Sequence, residues 1–414
     1  MLKEKNIVIF GVGRVGLPLA LFLADKGFKV AGVDVDPVRV NSLKAKQMPF
    51  LEEGAEPLLQ KHIGNNFNIY SNDEAPNIVA ESKYIILTLG TPIDHTNSPD
   101  HSQIEKLFLS LCPLLKKDHV IILRSTISPG SLRQIARYIE DNTKFKVGKS
   151  IYLAYCPERI AEGKSIEELP QIPQIIGTLD EASAKQASKV FIKMTDKIMY
   201  SKPEAAELAK LFCNMYRYID FAIGNEFMMI AEDYGCDIYD VLKLVNKDYK
   251  RSGLKSPGLT AGPCLVKDGF FLIDKSPFTE LVMSSWRLNE NIPGYLFKSV
   301  KREVPLLNNK KVAMLGLAFK KNIDDDRLSL VPKFAKYFSA EGAKVFITDP
   351  LMKSLPFEEA VEGANILIVG TNHDLYKKIS LKELSKKVAR GCLVCDVWNM
   401  FGTGKIIFKL NEFV

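Results

Sequence analysis

The chain has 414 residues, 46% of them hydrophobic and 25% charged, with 56 Lys and Arg against 49 Asp and Glu for a formal net charge of +7. That length exceeds one ordinary core and calls for two or three domains of globular composition. Basic and acidic residues are interleaved, which excludes a nucleic-acid stripe; no apolar run reaches the ~18 residues of a membrane helix; and seven irregularly spaced cysteines exclude a disulfide framework.

Residues 1–5 lead straight towards a strand without a signal-peptide apolar core, so a cytoplasmic location is expected. Short β-branched runs then alternate with helical patterns, the signature of parallel sheets with crossover helices. Strands are predicted at 6–10, 29–33, 84–89, 120–123 and 151–155, a helix at 181–194 and a short strand near 197–200. Together these make a first α/β domain over 1–200. A long helix is predicted at 203–234 and a second helical stretch at 277–304, after a loop bearing Gly and Pro, which makes 201–304 a central helical domain. Strands at 311–317, 344–348, 366–369 and 393–397 complete a second α/β domain over 305–414. The expected fold class is α/β: two Rossmann-like parallel-sheet domains joined by a helical region with a long helix. Cys392 and Cys395 form a Cys-x-x-Cys pair inside a buried strand pattern, and with no second pair no metal site is expected.

Gly11-Val12-Gly13-Arg14-Val15-Gly16 follows the first predicted strand and opens a helix. In that setting the first glycine makes the turn, the second lets backbone approach a pyrophosphate, and the third lets helix and strand pack closely. Asp34, ending the second strand, suits a ribose 2′-hydroxyl and opposes a 2′-phosphate, so NAD is the expected cofactor, with Arg39 flanking the adenine. Without a ligand the same motif is only a tight turn. The second α/β domain has no such motif, so no second dinucleotide is expected.

In the segment 257–268, Gly, Pro and small residues precede Cys264, and Lys267 and Asp268 follow it. A nearby cation favours the nucleophilic thiolate, although a lone cysteine in a turn is ordinarily a buried one. On the long helix, Glu207, Lys210, Asn214, Phe221 and Asn225 share about 60° of arc among apolar neighbours. That is the pattern of a buried helix lining a ligand site, and its apolar excess predicts a homodimer. Around 156–163, Glu158 and Glu162 stand four apart at a strand end, either as working carboxylates or as acids at a helix N-terminus.

These motifs occur in one order: Gly11 to Gly16, Thr91-Pro92, Ser125-Thr126, Pro157-Glu158, Glu207 to Asn214, Gly262 to Asp268, and Phe319-Lys320 to Arg327. In that order the chain resembles the UDP-glucose/GDP-mannose dehydrogenase family over essentially its whole length. The resemblance implies oxidation of the 6-hydroxyl of a UDP-sugar to the acid, with two NAD reduced in turn. The intermediate aldehyde is captured by Cys264 as a thiohemiacetal, oxidised to a thioester and hydrolysed. It assigns Lys210 and Asn214 to the reacting oxygen and a water, Asp268 to the same charge network, Glu158 to water activation, and Thr126 to a water or the nicotinamide edge. Thr91, Ser125, Glu162, Lys267 and Arg327 fall to the cofactor; Arg159, Arg251, Gly258, Gly262, Phe319 and Lys320 fall to the nucleotide sugar. From charge alone the 316–327 turn would read as a solvated loop.

Two departures matter. Pro263 occupies a position where many members carry a residue with an N–H donor. Cys156-Pro157-Glu158-Arg159 replaces the Asn-Pro-Glu-Phe usual in the glucose branch, which favours a UDP-N-acetylhexosamine, with Arg159 suited to a larger, more polar substituent. The alternatives are a two-electron hydroxyacid-type dehydrogenase, which needs no cysteine, and a catalytically inactive nucleotide-sugar-binding protein.

Overall fold

Thirteen strands build two sheets in the computed structural model, which describes residues 2–273, 276 and 278–414. The strands of the first sheet are β1 (Lys3–Phe10), β2 (Lys29–Asp34), β3 (Phe67–Ser71), β4 (Ser82–Leu87), β5 (Val120–Leu123), β6 (Tyr152–Tyr155), β7 (Gln174–Thr178) and β8 (Ile198–Ser201). Their order in space is β3-β2-β1-β4-β5-β6-β7-β8. The second sheet contains β9 (Lys311–Leu315), β10 (Lys344–Thr348), β11 (Ile366–Val369), β12 (Leu393–Cys395) and β13 (Ile407–Lys409), ordered β10-β9-β11-β12-β13. Pairing is parallel except between β6 and β7 and between β12 and β13. The expected α/β class is therefore present, with an antiparallel step in each sheet.

The chain divides into two compact units, one formed by 1–213 and 270–276, the other by 214–269 and 277–414. In the first, alternation along β1 sends Ile7 and Ile9 into one core and Val8 and Phe10 into another, so both sheet faces are covered. In the second, Val312 and Met314 face one core and Ala313 and Leu315 the other. The same alternation places Cys395 in one of these cores and Cys392 in the opposite one. The Cys-x-x-Cys pair is thus strand packing, split by the sheet itself.

The long helix runs Pro203–Asp233, close to its expected span. The helical stretch expected from 277 is the helix Glu280–Glu303; residue 277 itself lies outside the described residues. Along the long helix a polar stripe is buried beside apolar residues such as Leu211, Met215 and Tyr218, and an apolar stripe is left outside. Glu207, Lys210, Asn214 and Asn225 are buried, whereas Phe212, Tyr216, Ile223, Phe227 and Ile230 are exposed. At 100° per residue these apolar positions share about 60° of arc on the side opposite the polar stripe. No helix among the described residues is long and apolar enough to cross a membrane.

Candidate active site

In each unit the strand order reverses beside its first strand, between β1 and β4 and between β9 and β11, where ligands of open α/β sheets bind. At the first reversal Gly11 takes a φ of +85° and its N–H donates to Val33 O at 2.8 Å. A Cβ on Gly16 would stand 1.9 Å from Gly11 O and 2.5 Å from the Thr88 hydroxyl, so the third glycine is what lets the helix Gly16–Asp25 start against the turn. A Cβ on Gly13 meets nothing within 4 Å, which leaves open space over the turn. Asp34 is buried at the end of β2 and accepts from Val12 N–H at 2.8 Å and from the Arg39 guanidinium at 2.9 Å. Arg39 also lies 3.4 Å from Asp36. Exposed Val35 and Val38 offer apolar surface beside this pair. The residues present fit NAD: a glycine cradle, an acid for the ribose, and two carboxylates that oppose a 2′-phosphate.

Arg14 forms a 3.0 Å ion pair with Glu162 and lies over the Phe50 ring. This joins the glycine turn to the loop that follows β6, two segments that the sequence linked only through the cofactor. Thr91 and Ser125 are buried in the same unit and Thr126 is half-buried.

The loop after β6 is fastened by carboxylates. Glu158 accepts from Arg159 N–H at 2.8 Å and Ile160 N–H at 3.1 Å through one oxygen, and its other oxygen is paired with Arg124. Burial pushes the Glu158 pKa up, but the Arg124 guanidinium and these N–H groups outweigh it and hold the carboxyl below its ordinary value. Arg124 is itself buried, donates to Gln174 at 2.9 Å and lies over the Phe191 ring. Glu168 accepts from Ala161 N–H at 2.6 Å. Glu52 accepts from Ser165 N–H at 2.6 Å and Gly163 N–H at 3.1 Å, and burial raises its pKa. Sequence reasoning passed over Arg124, Glu52 and Glu168; the signal was a charged residue inside an apolar strand end in the first case and absent in the others. Arg159 spends part of its guanidinium on Pro173 O.

Glu207 belongs to the buried stripe but faces protein. It accepts from Gly130 N–H at 2.6 Å and Leu132 N–H at 2.9 Å, and so caps the helix Ser131–Asn142. Burial raises its pKa despite both bonds. Lys210 is buried one turn along.

In the second unit, Asn214 donates to Asp268 at 2.6 Å, and Lys267 lies 3.4 Å from the other oxygen of that fully buried carboxylate. Cys264 is exposed and immediately precedes the short helix Leu265–Asp268, whose last N–H returns to Cys264 O at 3.1 Å. The thiol, Asp268 and Asn214 are therefore tied through one turn of backbone. Upstream, Asn225 clasps the backbone of Gly258, accepting its N–H at 2.8 Å and donating to its carbonyl at 3.1 Å. Asn225 also donates to Asn289 at 2.9 Å. A Cβ on Gly258 would lie 2.3 Å from the Trp398 ring. Gly262, at φ +105°, is covered by Phe319, whose ring a Cβ would meet at 2.5 Å. Two residues assigned to the nucleotide sugar, Gly262 and Phe319, are thus in contact. Arg251 is exposed on a turn over the Tyr249 ring. Lys320 is half-buried, and Arg327 forms a bidentate pair with Asp325, with contacts from 2.6 to 3.0 Å.

The second reversal repeats the latch of the first. Gly316, at φ +92°, donates to Thr348 O at 2.7 Å, and Asp349, one residue beyond β10, accepts from Leu317 N–H at 2.7 Å. Asp349 differs from Asp34 in being sealed by the fully buried His373 at 3.1 Å.

A glycine turn on a parallel sheet, a buried acid at the end of β2 and a second module of the same kind are the features of a dinucleotide-dependent dehydrogenase. The chain belongs to the UDP-glucose/GDP-mannose dehydrogenase family, matching its NAD-binding domain over residues 5–195, its central domain over 204–292 and its UDP-binding domain over 313–403. It is an NAD-dependent nucleotide-sugar dehydrogenase. A relative named UDP-N-acetyl-D-mannosamine dehydrogenase, from Methanocaldococcus jannaschii, is 31% identical over 96% of this chain and 92% of its own. Among solved structures, the UDP-N-acetylmannosamine dehydrogenase of Pyrococcus horikoshii is 27% identical, with a TM-score of 0.86 over 92% of this chain and 93% of its own. A UDP-glucose dehydrogenase from Pyrobaculum islandicum is 25% identical, with a TM-score of 0.84 over 94% and 93%.

Proposed function

We propose that this protein oxidises the 6-hydroxyl of a UDP-N-acetylhexosamine, UDP-N-acetylmannosamine first among them, to the uronic acid in two NAD-dependent steps through a covalent adduct on Cys264. The observation that carries the reading is the exposed thiol of Cys264 at the head of a turn whose far end, Asp268, is bonded to Asn214. The branch is supported by the names of the relatives at up to 31% identity and by Arg159, which follows Pro157-Glu158. In this reading residues 1–200 hold NAD, 201–304 carry the reacting groups and 305–414 hold the nucleotide sugar.

The glycine turn and Asp34 would hold NAD, which when bound supplies the hydride acceptor for both oxidations, the hydroxyl proton passing in each to the water held by Asn214. Cys264 as thiolate adds to the aldehyde carbon, and Lys210 stabilises the negative charge that forms on the oxygen. After the second oxidation the bond to sulfur is a thioester. Glu158, ionised beside Arg124, orients the water that attacks the thioester carbonyl and accepts its proton; the thiolate leaves and the acid is released. Asn214 holds the water and the reacting oxygen, and Asp268 orients Asn214 by accepting its amide N–H.

The assay is a panel of UDP- and GDP-sugars followed by NADH absorbance. The expected result is fastest turnover of UDP-N-acetylmannosamine with two NADH formed per sugar and no free aldehyde. One NADH per sugar refutes the covalent route and favours the two-electron alternative; binding without NADH formation across the panel favours an inactive protein.

The same reading includes a homodimer. The exposed stripe on the long helix includes Tyr216 at 72% and Phe212 at 56% exposure, more aromatic surface than a solvated helix keeps. Sedimentation as a dimer at micromolar concentration is expected, and a monomer there overturns this part. An enzyme drawing on NAD and nucleotide sugars is placed in the cytoplasm.

A further inference from the structure

The segment that follows β11, Thr371 to Asp374, is used by none of the chemistry above, yet it holds the loop that carries Phe319 and Lys320. The Thr371 hydroxyl donates to Ala318 O at 2.5 Å. His373 Nδ1 accepts from Asn322 N–H at 2.9 Å. Asp374 accepts from the Asn322 amide at 2.5 Å and returns its own N–H to Asn322 Oδ1 at 3.0 Å. Asn322 has a φ of +61°, a left-handed backbone that asparagine adopts more readily than most non-glycine residues and that these bonds hold in place.

His373 is the hub of these ties. Since Nδ1 accepts from a backbone N–H, the ring proton sits on Nε2 and points at Asp349 Oδ2, 3.1 Å away. That same oxygen accepts from Leu317 N–H at 2.7 Å and Ala318 N–H at 3.1 Å. His373 and Asp349 are both buried, with His373 fully so. One imidazole therefore joins the start of the loop, through Asp349, to its middle, through Asn322. Phe319 and Lys320 lie between those two anchor points.

We propose that His373 is the positioning residue for the nucleotide-sugar loop. Its ring touches no ligand; it fixes where Phe319 and Lys320 stand, and so sets affinity for the UDP half of the substrate. The inference rests on the proposed function, in which residues 305–414, this loop among them, hold the nucleotide sugar.

The test uses the full-length protein, with UDP affinity by calorimetry and KM for UDP-N-acetylmannosamine and for NAD by initial rates. His373→Leu removes both bonds at similar volume. It is expected to weaken UDP binding and raise the sugar KM by about tenfold or more, with the NAD KM within about twofold. His373→Gln, which offers one acceptor and one donor at a spacing close to that of the imidazole, is expected to recover most of the loss. Asn322→Gly tolerates the left-handed backbone and removes the Asp374 tie at an exposed position. It is expected to raise the same KM by a smaller factor, which keeps the proposal testable where the Leu variant does not fold. Equal loss for sugar and NAD, or unchanged UDP affinity in folded His373→Leu or in Asn322→Gly, overturns the positioning role. If Lys320→Ala weakens UDP binding while the His373 and Asn322 variants do not, the substrate loop stands and the positioning inference alone falls. If the unmodified protein binds no UDP, the reading of the loop falls and this inference with it.

Discussion

Replacing Asn225 by Ala tests whether the backbone ahead of Cys264 is held as described. The side chain is fully buried and makes three hydrogen bonds, two with the backbone of Gly258 and one with Asn289. Truncation strands the Gly258 N–H, the Gly258 carbonyl and the Asn289 oxygen away from water. A buried hydrogen bond contributes about 1 kcal/mol net and a stranded partner costs about 1–3, so three bonds put the loss at about 3 kcal/mol or more. The chain has two tryptophans, and one of them, Trp398, packs against Gly258. Fluorescence-monitored urea unfolding therefore reports this region, and its transition is expected to move to lower urea in proportion. Because Gly258 lies on the segment that leads to Cys264, kcat is expected to fall even where the variant remains folded. A loss under about 1 kcal/mol with full kcat would show that the 256–264 backbone is held by something other than Asn225, and the reasoning would fail.

Other outcomes follow from the same contacts. Cys264→Ser is expected to slow or stop turnover and to trap an ester adduct visible by mass spectrometry; unchanged turnover removes the thiol from the mechanism. Arg124→Met takes away the charge that holds the buried Glu158 ionised, so burial alone then raises its pKa. In the unmodified protein the depressed Glu158 contributes stability above the ordinary carboxylate range and loses it as pH falls through its folded value. The variant's acid limb in the pH–rate profile is expected to shift upward; an unmoved limb counts against Glu158 as the group read there. His119 is fully buried and burial lowers its pKa from 6.5 to about 4. The unfolded chain takes up that proton first, so stability is lost as pH falls from about 6.5 to about 4, by about 3 kcal/mol in total. Urea midpoints of His119→Asn, set against the unmodified chain across that range, are expected to show a shallower pH dependence, and parallel curves would refute it.

The central strands were legible because both faces of each are buried. β1, β4 and β5 carry apolar residues at consecutive positions, a pattern that few other structures produce. The strands β3 and β13 escaped notice for the converse reason, and β7 did so although four of its five residues are buried. β3 and β13 lie at sheet edges and mix polar with apolar residues, and β7 is a short strand that reverses the direction of its neighbour. At the site, the places of the glycine turn and of Asp34 in the fold were legible, since their spacing is imposed by backbone geometry. Residue identity said less about Glu207, which caps a helix from far along the chain, and about Gly258, whose backbone is occupied by Asn225. Arg124, Asp349 and His373 act through partners at long sequence separation, and no local pattern records such pairs.

The exposed apolar stripe of the long helix has a consequence for abundance. The proposed dimer, covering Phe212, Tyr216, Ile223, Phe227 and Ile230, would place part of the helix's apolar burial beyond its own chain. Under mass action, any fold completed by a second copy gains stability with its own concentration and sheds it on dilution. For such a dimer the melting temperature is expected to rise with protein concentration. Phe227→Glu, harmless by the usual rule for an exposed residue, would flatten that dependence.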